Sequence, residues 1–434
     1  MNIQIIGSGY VGLPTAVGFN MLLANRGGVI SVIDIDKDRI KNLQSKKSIF
    51  YEKKLNEELL KQNNIQFSCD FKNVKNQDII FICVPTPNDK NNQIDLSYIK
   101  SVIDSIYKYL KNGVLLCIKS TVIPGSTLSI KKLLQKKNPK LKFHIACVPE
   151  FLKEGSALED FLNPDRIICG VEDERSKELL TKLYNNSDKL FFTSINDAEM
   201  IKYASNSFLS LKVAFINELA NLCEKSNCDI NLVSLGMGLD KRIAPYFLNA
   251  SIGYGGSCFP KDSTALNSFA KKKKVNLSIL NASIKSNQNR VKLICKNILE
   301  FNVKNIAIFG CSFKANTDDI RYSQAILLIE ELLKNNVKIT LHDPKALNNA
   351  KKYFANKIAY KQDFYECFKN QELAVFLVPW SDYKNANLDK IHSLMQKPNI
   401  YDTCNLFTKE NLNKFYYKKM GGGIINGKYC YTAI

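Results

Sequence analysis

The sequence is poor in the residues on which several classes of protein depend. It has three histidines, one tryptophan and seven arginines among its 61 basic residues, and none of its 13 cysteines belongs to a C-x-x-C pair. Because no ligand spacing surrounds His144, His342 or His392, we expect no zinc site and no other metal. The odd number and scattered positions of the cysteines argue against a disulfide framework and favour a reduced, cytoplasmic protein.

Long apolar segments are also missing. No run of about 18 apolar residues is present, so we expect no membrane-spanning helix and no membrane partner. The first residues enter a strand-like pattern at once and lack the basic region that begins a signal peptide. The 434 residues, 45% hydrophobic and 24% charged, are ordinary for a globular enzyme of two or three domains.

The excess of positive charge has two interpretations. A net charge of +20 is compatible with a nucleic-acid or small polyanionic ligand. The lysines, however, are spread along the whole chain and interleaved with asparagine, without a basic stripe or a nucleic-acid-binding motif. We therefore interpret the charge as solvated lysine surface and expect no nucleic-acid partner.

Short apolar strands recur at both ends of the chain, each followed by a loop with Gly, Asp, Pro or Thr. In the first 195 residues they lie at 2–6, 29–33, 79–84 and 114–119, and the pattern restarts at 304–310, 337–344 and 372–380. Between them, residues 196–226 lack proline and glycine and have helical periodicity. The pattern predicts an α/β protein with two Rossmann-like, doubly wound parallel-sheet domains joined by a long central helix.

A glycine motif follows the first predicted strand. Gly7 permits a tight turn, Gly9 lets the backbone approach a pyrophosphate, and Gly12 allows close packing of strand and helix. Asp34, which ends the second strand, can accept hydrogen bonds from a ribose 2′-hydroxyl and would repel a 2′-phosphate. We therefore predict NAD rather than NADP, although Arg39 lies nearby. The alternative is a purely structural strand–turn–helix.

Cys258 lies in a glycine-dense loop that spans 253–257, shortly before Pro260, which favours the start of a helix. A thiol facing a helix N-terminus, with Lys261 close in sequence, favours the thiolate. We predict that Cys258 is a nucleophile and that the glycines leave room for a substrate. The alternative is one more core cysteine.

Further polar residues occupy positions that suit catalysis. Lys202 and Asn206 are four residues apart on the predicted central helix and share a face, from which they could stabilise an oxyanion or simply meet solvent. Asp262 lies near the start of the helix that follows Cys258, either as an acid–base group or as a cap. Thr86 and Thr121 follow two strands at the carboxyl edge of the sheet, where they could bind a ligand or brace a turn.

The ordered motifs resemble the UDP-glucose 6-dehydrogenase family, within the nucleotide-sugar 6-dehydrogenases. The matching segments are GSGYVGLP at 7–14, CVPTP at 83–87, STVIPGST at 120–127, PEFLKEGSA at 149–157, NPDRII at 163–168, KYASNSFLSLKVAFINE at 202–218, RIAPYFLNASIGYGGSCFPKD at 242–262, FKANTDDIR at 313–321 and HDPKA at 342–346.

The resemblance implies a domain order and a reaction. An NAD-binding Rossmann-type domain would span 1–195, a central helical and dimerisation region with the cysteine loop 196–300, and a UDP-sugar-binding Rossmann-like domain 301–434. The implied reaction is a four-electron oxidation of UDP-glucose to UDP-glucuronate by a homodimer. It consumes two NAD⁺ and water and passes through a thiohemiacetal and a thioester on Cys258.

The resemblance also implies roles for individual residues. Cys258 would be the nucleophile, Lys202 and Asn206 would stabilise oxyanion charge, and acid–base work would fall to Asp262, Glu150 and a water held by Thr121. The implied NAD contacts are Gly7, Gly9, Tyr10, Val11, Gly12, Asp34, Arg39, Thr86, Thr121, Glu154, Lys261 and Arg321. The implied substrate contacts are Glu150, Phe151, Leu152, Lys153, Glu154, Lys202, Asn206, Phe247, Leu248, Asn249, Ala250, Ser251, Gly255 and Lys314, with Arg242 directed to a neighbouring subunit's site.

The chain departs from the family in its last third. Cys404 stands where an arginine associated with the substrate is common, so one ligand contact is in doubt, and Asn405 and Lys314 remain as polar groups. The alternative substrate is another nucleotide sugar, a UDP-N-acetylhexosamine or GDP-mannose. The Tyr-Gly-Gly-Ser-Cys order of the cysteine loop resembles the UDP-glucose branch.

Overall fold

The computed structural model describes residues 1–24, 27–62, 64–407 and 412–425. They form two compact units, the first from Met1–Ser205 with Thr264–Lys274, the second from Asn206–Ser263 with the described residues from Val275 onward.

In chain order the helices are α1 (Gly12–Leu22), α2 (Lys37–Gln44), α3 (Lys53–Lys61), α4 (Ser97–Ile106), α5 (Ser126–Lys137), α6 (Ala157–Leu162), α7 (Glu174–Leu183), α8 (Ile195–Ser226), α9 (Ile230–Gly238), α10 (Phe259–Lys272), α11 (Ser278–Leu299), α12 (Gln324–Lys334), α13 (Leu347–Phe354), α14 (Ser381–Lys384) and α15 (Leu388–Leu394).

The first unit is built on a mostly parallel sheet. Its strands are β1 (Ile3–Ile6), β2 (Ile30–Ile33), β3 (Ile65–Ser68), β4 (Ile79–Ile82), β5 (Val114–Ile118), β6 (Phe143–Cys147), β7 (Ile167–Val171) and β8 (Leu190–Thr193). Within the described residues their order is β3-β2-β1-β4-β5-β6-β7-β8. Because β1 lies between β2 and β4, the strand order reverses there, and a ligand crevice is expected outside the carboxyl ends of β1 and β4.

Burial on both faces explains why these strands are apolar runs rather than alternating ones. The central strands IQII, ISVI, IIFI and VLLCI are completely buried. One face packs against apolar residues of α1, α3, α6 and α7, and the other against α4, α5 and the start of α8. The buried thiols of Cys83, Cys117, Cys147 and Cys169 belong to these cores, as expected for small apolar side chains, whereas Cys69 is half-buried.

The last two strands of this sheet, β7 and β8, run in the opposite direction to the others. β7 pairs with β6 in the antiparallel sense, although β8 then continues parallel to β7. Residues 148–166 connect β6 to β7, and the helix that they contain is the short α6. A parallel connection would need a longer crossover to return the chain to the amino edge of the sheet. This connection therefore stays at the carboxyl edge of β6, and it carries Glu150 and Glu154.

The second unit repeats the design. Its strands are β9 (Asn305–Phe309), β10 (Lys338–His342), β11 (Ala359–Tyr360), β12 (Leu373–Phe376), β13 (Asn399–Asp402), β14 (Tyr416–Lys419) and β15 (Gly423–Ile425). Within the described residues the order is β11-β10-β9-β12-β13-β14-β15, parallel except for β15. Its strand order reverses at β9, and Phe309 lies at the centre of the core, stacked on Phe368 and Phe376.

The predicted fold class is confirmed. Both sheets are Rossmann-like, and α8 is a 32-residue helix that matches the segment predicted from its periodicity. The apolar helical stretch that follows the first glycine motif in the sequence predicts a first helix that runs to about Asn25, and Asn25 lies outside the described residues. Within the described ranges, no helix combines the length and apolarity needed to cross a membrane.

Candidate active site

The glycine turn after β1 has the geometry that its motif predicts. Gly7 has a φ of +97°, and a Cβ on Gly12 would lie 1.8 Å from the carbonyl oxygen of Gly7. Gly9, in contrast, has no atom within 4 Å of the position that a Cβ would occupy. Among the described residues no side chain caps the start of α1. The turn therefore offers open space and backbone N–H groups to a phosphate.

Asp34 lies beside this turn. One of its carboxylate oxygens accepts hydrogen bonds from the backbone N–H and the hydroxyl of Ser8, at 2.8 and 2.6 Å. The other accepts the N–H of Asp36 at 3.0 Å and keeps a further lone pair for a ligand. A guanidinium nitrogen of Arg39 lies 4.0 Å from a carboxylate oxygen of Asp34, and the Arg39 side chain is half-exposed. Tyr10 stacks on Phe50 with 4.1 Å between ring centroids.

The loops after β4 and β5 are joined through their threonines. The Thr86 hydroxyl donates to the carbonyl oxygen of Thr121 at 2.7 Å, and Ser120 donates to Val84 at the same distance. Thr86 is buried, whereas Thr121 is partly exposed. The structure therefore brings these two predicted residues together, with Thr86 bracing the loop and the side chain of Thr121 more accessible.

A buried ion pair joins the connection after β6 to α8. The ammonium of Lys202 lies 3.1 Å from a carboxylate oxygen of Glu150, and both side chains are at most 6% exposed. Glu150 also accepts the backbone N–H of Leu152 at 2.6 Å. Burial by itself would raise the pKa of Glu150, but Lys202, the Leu152 N–H and Lys119 outweigh it and hold that pKa below its ordinary value. Glu150 is therefore ionised at neutral pH.

The remainder of this connection is held by two further carboxylates. Asp160 accepts the N–H of Lys153 at 2.7 Å and also pairs with its ammonium. Glu52, which is buried, accepts the N–H of Leu158 at 2.8 Å. Burial raises the pKa of Glu52, although its backbone hydrogen bonds oppose that shift. The sequence analysis missed Glu52, because its charged surroundings, YEKKLNEELLK, are typical of a solvated helix face.

In the second unit, Cys258 lies at the predicted helix start. The N–H of Asp262 donates to the carbonyl oxygen of Cys258 at 2.8 Å, which makes Cys258 the residue immediately before α10. Its sulfur lies 3.6 Å from the hydroxyl of Ser257, and the side chain is partly exposed. This setting differs from that of the core thiols, and it places the sulfur where the helix dipole favours negative charge.

Asp262 is completely buried and does not serve mainly as a cap. Its carboxylate accepts a hydrogen bond from the Asn206 amide at 2.6 Å and lies 2.5 Å from the ammonium of Lys261. Asn206 reaches it from α8 and is itself buried. Asn206, Lys261 and Asp262, which were predicted separately from the sequence, therefore form one hydrogen-bonded group beside the first turn of α10.

The residues predicted to bind the sugar nucleotide differ in accessibility. In the segment 247–251, the side chains of Leu248 and Ala250 are buried in the core, whereas Phe247, Asn249 and Ser251 are not. The guanidinium of Arg321 forms a bidentate pair with the carboxylate of Asp319 and is half-exposed. The Nζ atom of Lys314 lies 5.7 Å from the centroid of the Phe313 ring. Arg242 is 89% exposed and pairs with Asp240.

Cys404 turns inward. Its thiol donates to the carbonyl oxygen of Phe376 at 3.6 Å, and burial raises its pKa well above the ordinary value. It therefore adds no charge where the resembling family often has an arginine. The side-chain oxygen of the next residue, Asn405, is buried and has no hydrogen-bond partner among the described residues, which leaves it available to a ligand.

An open glycine turn at a strand-order reversal, and a cysteine at a helix start with a buried Asp–Asn pair, are typical of a dinucleotide-dependent oxidoreductase. Models of the UDP-glucose/GDP-mannose dehydrogenase family match the chain as the NAD binding domain at 1–188, the central domain at 196–289 and the UDP binding domain at 307–409. The chain belongs to this family. It is an NAD-dependent oxidoreductase, and its substrate is a nucleotide sugar.

Relatives are similar over nearly the whole chain. A UDP-glucose 6-dehydrogenase of Rickettsia prowazekii (strain Madrid E) is 41% identical over 440 residues, covering 98% of this chain and 100% of the relative. One of Bacillus subtilis (strain 168) is 38% identical over 419 residues, 94% of each chain. A solved UDP-glucose dehydrogenase from Pyrobaculum islandicum superposes with a TM-score of 0.89 at 29% identity, covering 97% and 98%. The predicted family, enzyme class and cofactor are thereby confirmed, and the roles of single residues stay predictions.

The Lys202–Glu150 pair generates a stability prediction. Lys202→Met leaves a buried carboxylate without its main partner, which should reduce the unfolding free energy by about 3–5 kcal/mol. In the wild type the lowered pKa of Glu150 contributes stability that is lost as the pH falls through that pKa. In the variant Glu150 is uncharged more readily, so the difference between the two proteins should narrow as the pH falls through about 4.5.

Urea unfolding between about pH 8 and pH 4 measures this difference. The double variant Lys202→Met/Glu150→Gln should lose less than the sum of the single variants, because it leaves no unpaired charge. Lys177→Met, which removes an exposed pair with Glu174 on α7, is the matched control and should leave the midpoint unchanged. A loss of stability that is the same at every pH would contradict the assignment.

Proposed function

We propose that the protein oxidises the C6 alcohol of UDP-glucose to the carboxylate of UDP-glucuronate. The balanced reaction consumes two NAD⁺ and one water and releases two NADH and three protons. The observation that carries this proposal is the position of Cys258 at the start of α10, next to the buried Asp262–Asn206 pair. The names of the relatives support UDP-glucose as substrate. A UDP-N-acetylhexosamine or GDP-mannose is the alternative.

NAD fits the first unit because Gly9 leaves open the space that a Cβ would fill, and because the start of α1 is uncapped by described side chains. When bound, NAD supplies a hydride acceptor, which the proposed reaction needs twice. Asp34 would accept hydrogen bonds from the adenosine ribose and exclude a 2′-phosphate. The further residues that we assign to NAD are Gly7, Tyr10, Val11, Gly12, Arg39, Thr86, Thr121, Glu154, Lys261 and Arg321.

Cys258 is the proposed covalent catalyst. Its thiolate, favoured by the N-terminus of α10, adds to the C6 aldehyde to give a thiohemiacetal. Loss of hydride from C6 converts this adduct into a thioester on the same sulfur. Water then attacks the thioester carbon, the carbon–sulfur bond breaks, and the carboxylate leaves while Cys258 is regenerated. The aldehyde is never released, because it is held covalently between the two oxidations.

The buried polar residues divide the remaining work. Glu150, kept ionised by Lys202, can accept a proton at neutral pH, and Asp262 is assigned to the same acid–base work. The Lys202 ammonium and the Asn206 amide can stabilise negative charge on the C6 oxygen. Thr121, whose side chain is partly exposed, is assigned to hold the hydrolytic water.

We assign the nucleotide sugar to two further groups of residues. In the second unit these are Gly255, Lys314, the segment 247–251 and, for a neighbouring subunit's site, Arg242. In the first unit they are residues 150–154, with Lys202. The exposed side chain of Arg242, which pairs with Asp240, is compatible with a contact outside its own chain. The unpaired oxygen of Asn405 adds a polar group near Cys404.

Counting NADH tests the reaction directly. The purified protein is incubated with NAD⁺ and, separately, with UDP-glucose, UDP-N-acetylglucosamine, UDP-N-acetylmannosamine and GDP-mannose. We expect turnover with UDP-glucose and two NADH for each molecule consumed, since the thioester route requires two oxidations. One NADH per sugar with accumulating aldehyde would contradict the four-electron reaction, and preference for another sugar would establish the alternative substrate.

Replacing the nucleophile separates its chemistry from binding. Cys258→Ala should abolish formation of UDP-glucuronate, by at least about a thousandfold in kcat, while NAD⁺ and UDP-glucose still bind. Calorimetry measures binding and NADH absorbance measures turnover. Cys228→Ala, which removes an exposed cysteine of the same unit, should retain wild-type activity. Full turnover by Cys258→Ala would refute the covalent mechanism, and loss of binding would indicate a structural cysteine.

We further propose that the enzyme is a cytoplasmic homodimer without a nucleic-acid partner. The support for a dimer is an apolar stripe on α8, where Phe208, Phe215 and Leu222 recur at seven-residue spacing and are all exposed. Leu232 and Leu235 of α9 are exposed as well. A stripe of this kind suits a self-complementary interface between two copies. The central region, 196–300, would then be the dimerisation region between the NAD-binding and UDP-sugar-binding domains.

Sedimentation tests the interface. We expect the wild type to sediment as a dimer and Phe215→Glu to sediment as a monomer, because a charge in an apolar interface is left without a partner. Phe191→Glu, which changes an exposed phenylalanine of the first unit, is the control and should remain dimeric. A wild type that is monomeric at micromolar concentration would contradict the proposal.

A further inference from the structure

The loop that leads to Cys258 is held by hydrogen bonds from amide side chains of two helices. Asn287, on α11, accepts the backbone N–H of Tyr254 at 2.8 Å and donates to the carbonyl oxygen of the same residue at 3.0 Å. Gln324, at the start of α12, donates to that oxygen as well, at 3.0 Å. All three residues are buried. Asn287 therefore satisfies both backbone groups of Tyr254, as a neighbouring strand would.

The glycines of the loop show how tightly its path is fixed. A Cβ on Gly253 would lie 2.6 Å from the side-chain oxygen of Asn287, and one on Gly255 would lie 2.3 Å from the carbonyl oxygen of Tyr322. Gly253 and Gly256 also have φ values of +118° and +80°, which favour glycine. These glycines therefore allow other parts of the same chain to pack closely against the loop. This is a second role, separate from leaving room for a substrate.

The base of the loop is held independently. Asn217 accepts the N–H of Ser251 at 2.8 Å, and Arg290 donates to the carbonyl oxygen of Ser251 at 3.1 Å. Asn287 holds the middle of the loop at Tyr254, which is four residues before Cys258. Tyr254 also packs edge-on against Phe259, the first residue of α10, with 6.2 Å between the ring centroids. A displacement of Tyr254 is therefore transmitted to Cys258 over a short, braced segment.

We propose that Asn287, assisted by Gln324, is a positioning residue for the nucleophile, and that it sets the location of the Cys258 sulfur at the start of α10. This inference rests on the proposed function of Cys258. Neither amide touches the substrate in this proposal, and both act through the backbone of Tyr254. Precise placement matters because a misplacement of about 1 Å can cost about a hundredfold in rate.

Asn287→Asp is the sharpest test, because it keeps the size of the side chain and its acceptor. It replaces the amide donor by an oxygen that faces the carbonyl oxygen of Tyr254. The hydrogen bond to that carbonyl is then lost, because the two oxygens repel each other. We expect kcat to fall about 10- to 100-fold while KM for NAD⁺ stays within about twofold. Asn289→Asp, the same change at an exposed position two residues along α11, is the control and should behave as wild type.

A second readout does not depend on turnover. The rate at which iodoacetamide alkylates Cys258, followed by peptide mass spectrometry across pH, reports the exposure and ionisation of that thiol. We expect slower alkylation or a shifted pH profile in Asn287→Asp but not in Asn289→Asp. Wild-type kcat and wild-type alkylation in a folded Asn287→Asp would overturn the proposal.

Two outcomes remain to be separated. If Asn287→Asp does not fold, Gln324→Met, which removes one of the three hydrogen bonds, carries the test. It should lower kcat and slow alkylation by a few-fold, and unchanged values would overturn the proposal. Failure of the proposed function is distinguishable, because Cys258→Ala would then turn over fully, whereas the alkylation readout would still report whether Asn287 positions the thiol.

Discussion

A carboxylate that leaves water must be supplied with hydrogen-bond donors, and this requirement fixes the loops of the candidate site. Among the described residues, seven carboxylates are at most 6% exposed: those of Glu52, Glu150, Glu199, Asp262, Asp319, Asp343 and Asp402. Glu199, on α8, accepts the N–H groups of Gly125 and Thr127 at 2.6 and 2.7 Å, and so holds the start of α5. Glu52 holds the start of α6 in the same way. The loops after β5 and β6, which carry Thr121 and Glu150, are thereby pinned next to the edge where a ligand binds.

The two sheets use one device at their first turn and then diverge. In each, a left-handed glycine follows the first strand, Gly7 with φ +97° and Gly310 with φ +92°. In each, an aspartate at the end of the next strand accepts the N–H that follows: Asp34 from Ser8, and Asp343 from Cys311. The first turn leads directly into α1 and keeps open space beside Gly9. The second leads into residues 313–322, which pack on the cysteine loop. The same turn therefore leaves open space in one unit and supports a loop in the other.

The sequence predicts those elements whose signal is local. Buried strands appear as apolar runs, and α8 appears as a long periodic segment, because burial on a sheet or helix face selects residue type directly. α11 was missed, since its buried face carries Asn287 and Arg290, whose partners lie more than 30 residues away. Glu52 was missed for the same reason, because the N–H that it accepts is 106 residues away. The reversed direction of β7 and β8 depends on the absence of a long crossover helix after β6, and no residue type in the sequence indicates that absence.

Cysteine illustrates how position rather than residue type decides chemistry. Burial in the first sheet raises the pKa of the Cys83 and Cys169 thiols to about 12, so these remain protonated and inert at neutral pH. Lys119, which is buried beside them, lowers the pKa of both thiols, but burial outweighs its effect. Cys258 differs in being partly exposed, at the positive end of a 14-residue helix. A thiol becomes a useful nucleophile where it is accessible and where nearby backbone N–H groups supply a stabilising partial positive charge.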